Sequence, residues 1–204
     1  YTLSTGFDVS TASFVDGFSV SSQDSSPQGL AFNTDGTKMF VTGDNGDDVN
    51  EYTLTTGFDV STASFVDSFS VSSQETFPSG LAFNADGTKM FIIGKTGDDV
   101  NEYTLTTGFD VSTASFTGEV FDISSKESTP MGLAFSADGT KMFVMGYGSD
   151  KVHEYTLATG FDLNKITLTG TYGQLTMNAN GSYSYVANQS AADDLDAGDT
   201  ATDA

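Results

Sequence analysis

Apolar and polar positions along this chain alternate in short runs punctuated by glycine and aspartate. Between Gly80 and Phe83, Leu81 and Phe83 fall on one face of a short strand. Asn84-Ala85-Asp86-Gly87 then carries turn chemistry, because glycine tolerates positive φ and aspartate bonds its own backbone. Lys89 to Ile93 is almost continuously apolar, which predicts a strand covered on both faces. After a second turn from Gly94 to Asp99, Val100 to Leu105 reads as a third strand. Val100, Glu102 and Thr104 lie on one side of it, Tyr103 and Leu105 on the other. A loop through Thr107-Gly108-Phe109-Asp110 leads to a fourth strand, whose counterpart one unit earlier is Ala63 to Ser72. Strict alternation there puts Phe65, Phe69 and Val71 on one face.

This layout is written three times. Tyr1, Tyr52 and Tyr103 open units 1–51, 52–102 and 103–154, and a further unit starts at Tyr155. GFDVSTASF recurs at 6–14, 57–65 and 108–116, and EYTL at 51–54, 102–105 and 154–157. A period near 50 residues marks a solenoid, propeller or array, and the glycine-rich, β-branched and aromatic runs disfavour helical arrays. Four short antiparallel strands per unit, the second one most buried, describe a propeller blade. The third unit reads SFTGEVFDIS where the second reads SFVDSFSVS, so one extra residue predicts a β-bulge near Gly118. Counted from the GLAF strands, blades begin near Gln28, Ser79 and Met131, with residues 1–26 supplying the last two strands of a preceding blade. Pro27, Pro78 and Pro130 stand just before these strands and set the angle between blades.

GLAFNADGTKMFIIG (80–94) resembles the strand-turn-strand core of YVTN, or lactonase-like, β-propeller blades, in which a similar GLAF phrase opens each blade. With EYTLTTGFDVSTASF added, it resembles blade repeats of very large surface proteins of marine bacteria and of some phage structural proteins. The resemblance covers about residues 1–165 and brings no catalytic residues with it. It implies an all-β fold of about three tandem four-stranded blades, short of the four or more that close a ring. The chain is then a piece of a longer propeller, closes against another copy, or stacks openly, since unpaired edges invite pairing. Residues 166–204 carry a different pattern. GTYGQLTMNANGSYSY (170–185) resembles the VCBS repeat, a small β-sandwich module of giant bacterial adhesins. Asn180-Gly181 is a hairpin signal, and Tyr183 and Tyr185 share a face of the returning strand. The tail stops short of that family's later strands, which reads either as an artificial end or as a gap filled by a neighbouring subunit's strand.

Charge narrows the partners. The chain holds 28 acidic residues against 7 lysines and no arginine, a formal net charge of −21. Such a surface repels phosphate backbones and anionic bilayers, so nucleic acid and membrane insertion are not expected. Cysteine is absent, which removes disulfides and thiolate metal sites. No apolar run approaches the ~18 residues of a membrane span. Tyr1 already lies inside a repeat, which reads as an excised or mature piece of something longer.

Calcium is the most plausible ligand. GDNGDDVNE (43–51) offers Asp44, Asp47, Asp48 and Glu51 in one turn, and hard oxygen ligands suit that ion. The second copy offers Asp98 and Asp99, the third Asp150. Only Asp47, Asp98 and Asp150 recur together with the glutamates, a pattern closer to a turn-stabilising aspartate than to a repeated metal cage. His153, the only histidine, replaces Asn50 and Asn101 of the other units and reads as an ordinary strand residue. The serines have no evident general base. Asn180 and Asn188 satisfy the glycosylation sequon. The 17 phenylalanines recur at alternating strand positions, as core residues do.

The expected role is therefore non-enzymatic: an extracellular or surface-exposed repeat module, on a bacterial cell or a virion. Its blades act as a spacer or binding platform, and the loops 43–48, 94–99 and 146–151 meet any ligand. Its partners are other copies, neighbouring domains of a longer chain, or cell-surface glycans and proteins. An alternative is a self-assembling filament subunit completed by inter-subunit strand pairing. A propeller-type hydrolase is the least favoured reading.

Overall fold

A computed structural model describes residues 1–157, 159–163, 166–169, 171–177 and 183–187. A small hairpin of β1 (Thr2–Leu3) and β2 (Ala12–Ser13) opens the chain. The first blade orders β3 (Pro27–Phe32), β4 (Lys38–Gly43), β5 (Asp48–Leu54) and β6 (Ala63–Ser70) side by side, every pair antiparallel. The second repeats this with β7 (Pro78–Phe83), β8 (Lys89–Gly94), β9 (Asp99–Leu105) and β10 (Ala114–Asp122). The third sheet shows three strands among the described residues: β11 (Pro130–Phe135), β12 (Lys141–Gly146) and β13 (Val152–Thr156). A separate antiparallel sheet of β14 (Ile166–Thr169), β15 (Gln174–Met177) and β16 (Tyr183–Val186) follows. These are propeller-type blades in an incomplete ring.

Alternation along the central strands lets each blade bury both faces at once. Phe40 and Val49 of the first blade meet Met90, Ile92, Tyr103 and Leu105 of the second. Phe91, Ile93 and Val100, on the second blade's other face, meet Met142 and Val144 of the third. Phe40 and Phe91 are fully buried. Buried Ser79 ties the two blades along the inner strands, its hydroxyl donating to the Pro130 carbonyl at 2.8 Å. The expectation that the second strand is covered on both faces holds for β4 and β8 and fails for β12. Met145 is exposed there, and among the described residues no further blade lies against that side.

Two local features differ from simple alternation. Phe65 pairs with Tyr52 and Phe69 with Val49, while Val66 is the extra residue between. Tyr52 and Val49 point to opposite faces of β5, so Phe65 and Phe69 do too, against the single shared face that period-2 counting gives. In β10 the irregularity falls between Phe116 and Val120, and Gly118 takes φ 89°, as the inserted residue predicts. Phe116 pairs with Tyr103 and Phe121 with Val100, so both blades present the same faces. The insertion enlarges the bulge; it does not turn the strand over. The prolines are the first residues of β3, β7 and β11, at strand starts where a missing N–H costs nothing.

Candidate functional site

Two constructions repeat from blade to blade. The first holds the hairpin loops 43–48, 94–99 and 146–151. Beneath each lies a buried carboxylate: Asp24, Glu75 or Glu127. Glu75 accepts from the backbone N–H groups of Phe77 at 2.7 Å and Thr96 at 3.0 Å. Glu127 accepts from Gly148 N–H at 2.7 Å and from Ser149 N–H and Oγ. Burial works against its charge, but these bonds outweigh it and hold the carboxyl below its usual range. Asp24 accepts from Ser26 N–H at 2.6 Å. Sequence reading missed all three acids, because they sit about 20 residues before the loops they support.

Asp47, Asp98 and Asp150 take left-handed φ values of 49°, 50° and 55° in these loops. Their recurrence therefore has a backbone reason, since Asp tolerates this region better than most residues. The Asp47 carbonyl accepts from Val71 N–H at 2.8 Å and the Asp98 carbonyl from Ile123 N–H at 3.0 Å, fastening each loop to the outer strand. Asp44 accepts from Gln28. Asp48 and Asp99 each accept from an asparagine, Asn50 and Asn101, at 2.6 Å. Burial raises the carboxyl pKa of both above the ordinary value, with neighbouring acids adding to the shift. Asp98 is raised by burial and then by Glu75, Glu127 and Asp122. Among the described residues, no group of three or more acids and histidines is arranged to hold a metal ion. Asn180 and Asn188 lie outside the described residues.

His153 is less ordinary than its sequence suggests. Its Nε2 lies 2.9 Å from Ser149 Oγ, which also donates to Glu127 at 2.6 Å. Catalytic serines need the reverse order, with the acid on the far ring nitrogen and the serine proton facing a basic imidazole. Here the hydroxyl's one proton is committed to Glu127, so toward this serine the imidazole Nε2 is the donor and not the acceptor.

The second construction joins blades. Lys38 Nζ meets Glu51 Oε1 at 2.6 Å, and the lysine also donates to the Phe109 carbonyl of the next blade at 2.6 Å. Glu51 Oε2 accepts from Val111 N–H at 3.0 Å. One ion pair thus grips both ends of the Phe109-Asp110-Val111 turn. One blade on, Lys89 and Glu102 pair at 2.8 Å and grip Phe161 and Leu163 at 2.7 and 3.3 Å. The gripped turn is rigid. Phe109 takes φ 59°, its ring covers Gly87, whose own φ of 72° admits no Cβ without strain, and Asp110 caps the following 3₁₀ turn. In the third blade Lys141 pairs with Glu154. The glutamates are 3% exposed in the two engaged pairs and Glu154 is 51% exposed, with no turn gripped by it among the described residues.

Each end of the stack carries an apolar cleft of about 310 to 320 Å³. One is lined by Phe18, Val20, Leu30, Met39, Val41 and Val60. The other is lined by Leu133, Phe143, Met145 and Val152, among others.

No family model and no curated protein matches this chain. Solved structures align with it at TM-scores below 0.5. Virginiamycin B lyase from Staphylococcus aureus aligns at 12% identity and TM-score 0.45, over 85% of this chain and 59% of its own. A Desulfotomaculum acetoxidans protein of unknown function aligns at 15% identity and TM-score 0.45, over 81% and 60%. The periplasmic gluconolactonase of Pseudomonas aeruginosa aligns at 17% identity and TM-score 0.46, over 76% and 47%. The chain thus spans less than two thirds of the length of each of these proteins.

Proposed function

We propose that this chain is a non-enzymatic repeat module of an extracellular surface protein, with rigid blades as scaffold and the loops 43–48, 94–99 and 146–151 as the presented surface. One observation carries the reading: the chain's charged groups are spent on holding the scaffold while the presented residues differ. Asp24, Glu75 and Glu127 fix equivalent loops by equivalent backbone bonds, from the Gly46, Gly97 and Ser149 N–H groups. On that common frame one equivalent exposed position carries Asn45 in the first loop, Thr96 in the next and Gly148 in the third. A Ser149 hydroxyl bonded to a buried carboxylate, beside a donating His153, argues against a hydrolytic centre. The resemblance of residues 170–185 to an adhesin module is consistent with a surface role.

Two assays test this. The chain is incubated with a panel of aliphatic lactones and activated esters, and is expected to turn over none above buffer. It is also labelled and applied to a glycan array beside a variant whose residues 44–46, 95–97 and 147–149 are replaced by Gly-Ser-Gly. Binding by the parent, lost in the variant at an unchanged melting temperature, supports presentation by these loops. Turnover abolished by a single side-chain substitution would replace the reading with an enzyme.

A further inference from the structure

We infer that the open face of the third blade docks the first-blade end of a second copy of this chain, head to tail, and that residues 12–20 of that second copy become the third blade's fourth strand. The internal interfaces show what such a face accepts. At each of them a Lys–Glu pair grips a Gly-Phe-Asp turn, and a central phenylalanine packs beside it: Phe40 lies 6.2 Å from Phe109, and Phe91 lies 6.3 Å from Phe161. The third blade presents the same receptor unoccupied, with Lys141–Glu154 exposed, Phe143 half-buried, and Met145 and Val152 exposed beside them.

The matching turn is present and preformed at the other end. Phe58 takes φ 60° and packs over Gly36, as Phe109 packs over Gly87. Asp59 caps Ser61, as Asp110 caps Ser112. Phe58 is nevertheless 61% exposed, as is Leu30 on the same face, because no blade with its own Lys–Glu pair lies against them.

The outer strands complement each other as well. Among the described residues, β11, β12 and β13 have no fourth partner and the outer edge of β13 is unpaired. Ala12 to Val20 reads ASFVDGFSV, one residue different from the Ala63 to Val71 sequence that includes β6. Phe18 and Val20 already pack on the first blade as a fourth strand of a preceding blade would, with Phe18 5.6 Å from Tyr52. They frame the cleft into which the inner strands of the other copy's third blade fit. In repeat register residues 1–9 overlap the other copy's 155–163, while that copy's Ile166–Thr169 pairs with β15 rather than β13. Residues 1–9 are loosely held, with Tyr1 and Val9 both 82% exposed and the hairpin pairing two residues on each side. Docking displaces them. The interface is heterologous, so copies close into a ring where the rotation from copy to copy completes a turn and otherwise extend as an open chain.

Sedimentation of the full 204-residue chain across a hundredfold concentration range is expected to show growth from monomer to a dimer, closed or extending further. Met145→Asp spoils the receptor and Leu30→Asp the opposite face, both at exposed positions that leave folding unchanged by melting temperature. Each variant alone is expected to stay monomeric, and the two mixed are expected to form a 1:1 dimer and nothing larger. Deleting residues 1–9 removes the overlapping segment and is expected to tighten association at least tenfold, whereas deleting 1–20 weakens it. A concentration-independent monomer overturns the proposal. So does assembly that persists in Met145→Asp, or a mixture that fails to pair.

Discussion

The glutamates of the three Lys–Glu pairs are chemically the same and energetically different. Glu102 is almost wholly shielded and holds both Lys89 and the Leu163 N–H. Its truncation leaves the Lys89 ammonium with the Phe161 carbonyl alone and the buried Leu163 N–H without a partner, both of which cost free energy. Glu102→Ala is expected to destabilise the chain by about 2–3 kcal/mol, less than a fully buried pair because Lys89 keeps partial access to water. Glu154→Ala, at an exposed pair, is expected to cost under about 0.5 kcal/mol in dilute solution. Denaturant titration of both variants checks this, and equal effects would mean the grip on the next blade's turn contributes nothing. The pairs were only half legible in the sequence. Lysine and glutamate recur 13 residues apart in every unit, but their engagement with a turn about 70 residues downstream depends on how the blades stack.

The outer strands show how far element-level reasoning reaches. One bulged residue, Val66, keeps Phe65 opposite Tyr52 and Phe69 opposite Val49. Deleting Val66 removes the slack and turns every residue on one side of it to the wrong face, since side-chain direction has period 2. That deletion is expected to cost several kcal/mol, on the scale of losing about two buried aromatic contacts. Deleting Gly118 only shrinks a larger bulge to the size of its counterpart, and is expected to change stability by less than about 1 kcal/mol. Thermal unfolding of the two deletions separates them, and comparable losses would show that bulge size, not face, matters. The inserted residue at Gly118 was visible because two copies could be aligned. The bulge at Val66 left no such mark: its counterpart in the first unit, SFVDGFSV, has the same length. The inner strands were legible nearly to the residue because their turns are written in glycine and aspartate. The 3₁₀ turns at Val9–Thr11, Val60–Thr62 and Val111–Thr113 read only as loop, since their capping bonds span two residues and leave no periodicity.

At the scale of the molecule, acids of opposite disposition set a narrow range of greatest stability. Burial raises the folded-state pKa of Asp48, Asp98 and Asp99. A raised acid binds its proton earlier in the folded state than in the unfolded chain, so stability grows as pH falls through its folded value towards about 3.9. Asp138 is held down to about 2 by its Ser136 and Thr140 hydrogen bonds. Its contribution is present above about 3.9 and is lost as pH falls towards the folded value. The net charge of −21 adds a general repulsion that protonation also relieves. The melting temperature is therefore expected to rise from pH 7 to between about 4 and 5 and then to drop steeply below about 3. Asp99→Asn is expected to flatten the rise while leaving the drop in place. At the alkaline end, burial and nearby acids push Tyr52 up to about 12. Its neutral form is favoured in the fold, so stability is lost as pH climbs from about 10 towards that value, and Tyr52→Phe is expected to shift the loss upward. Tyrosinate absorbance followed alongside circular dichroism tests the coupling. If ionisation completes near pH 10 with the fold intact, Tyr52 is not shielded as its contacts with Phe18 and Phe65 imply.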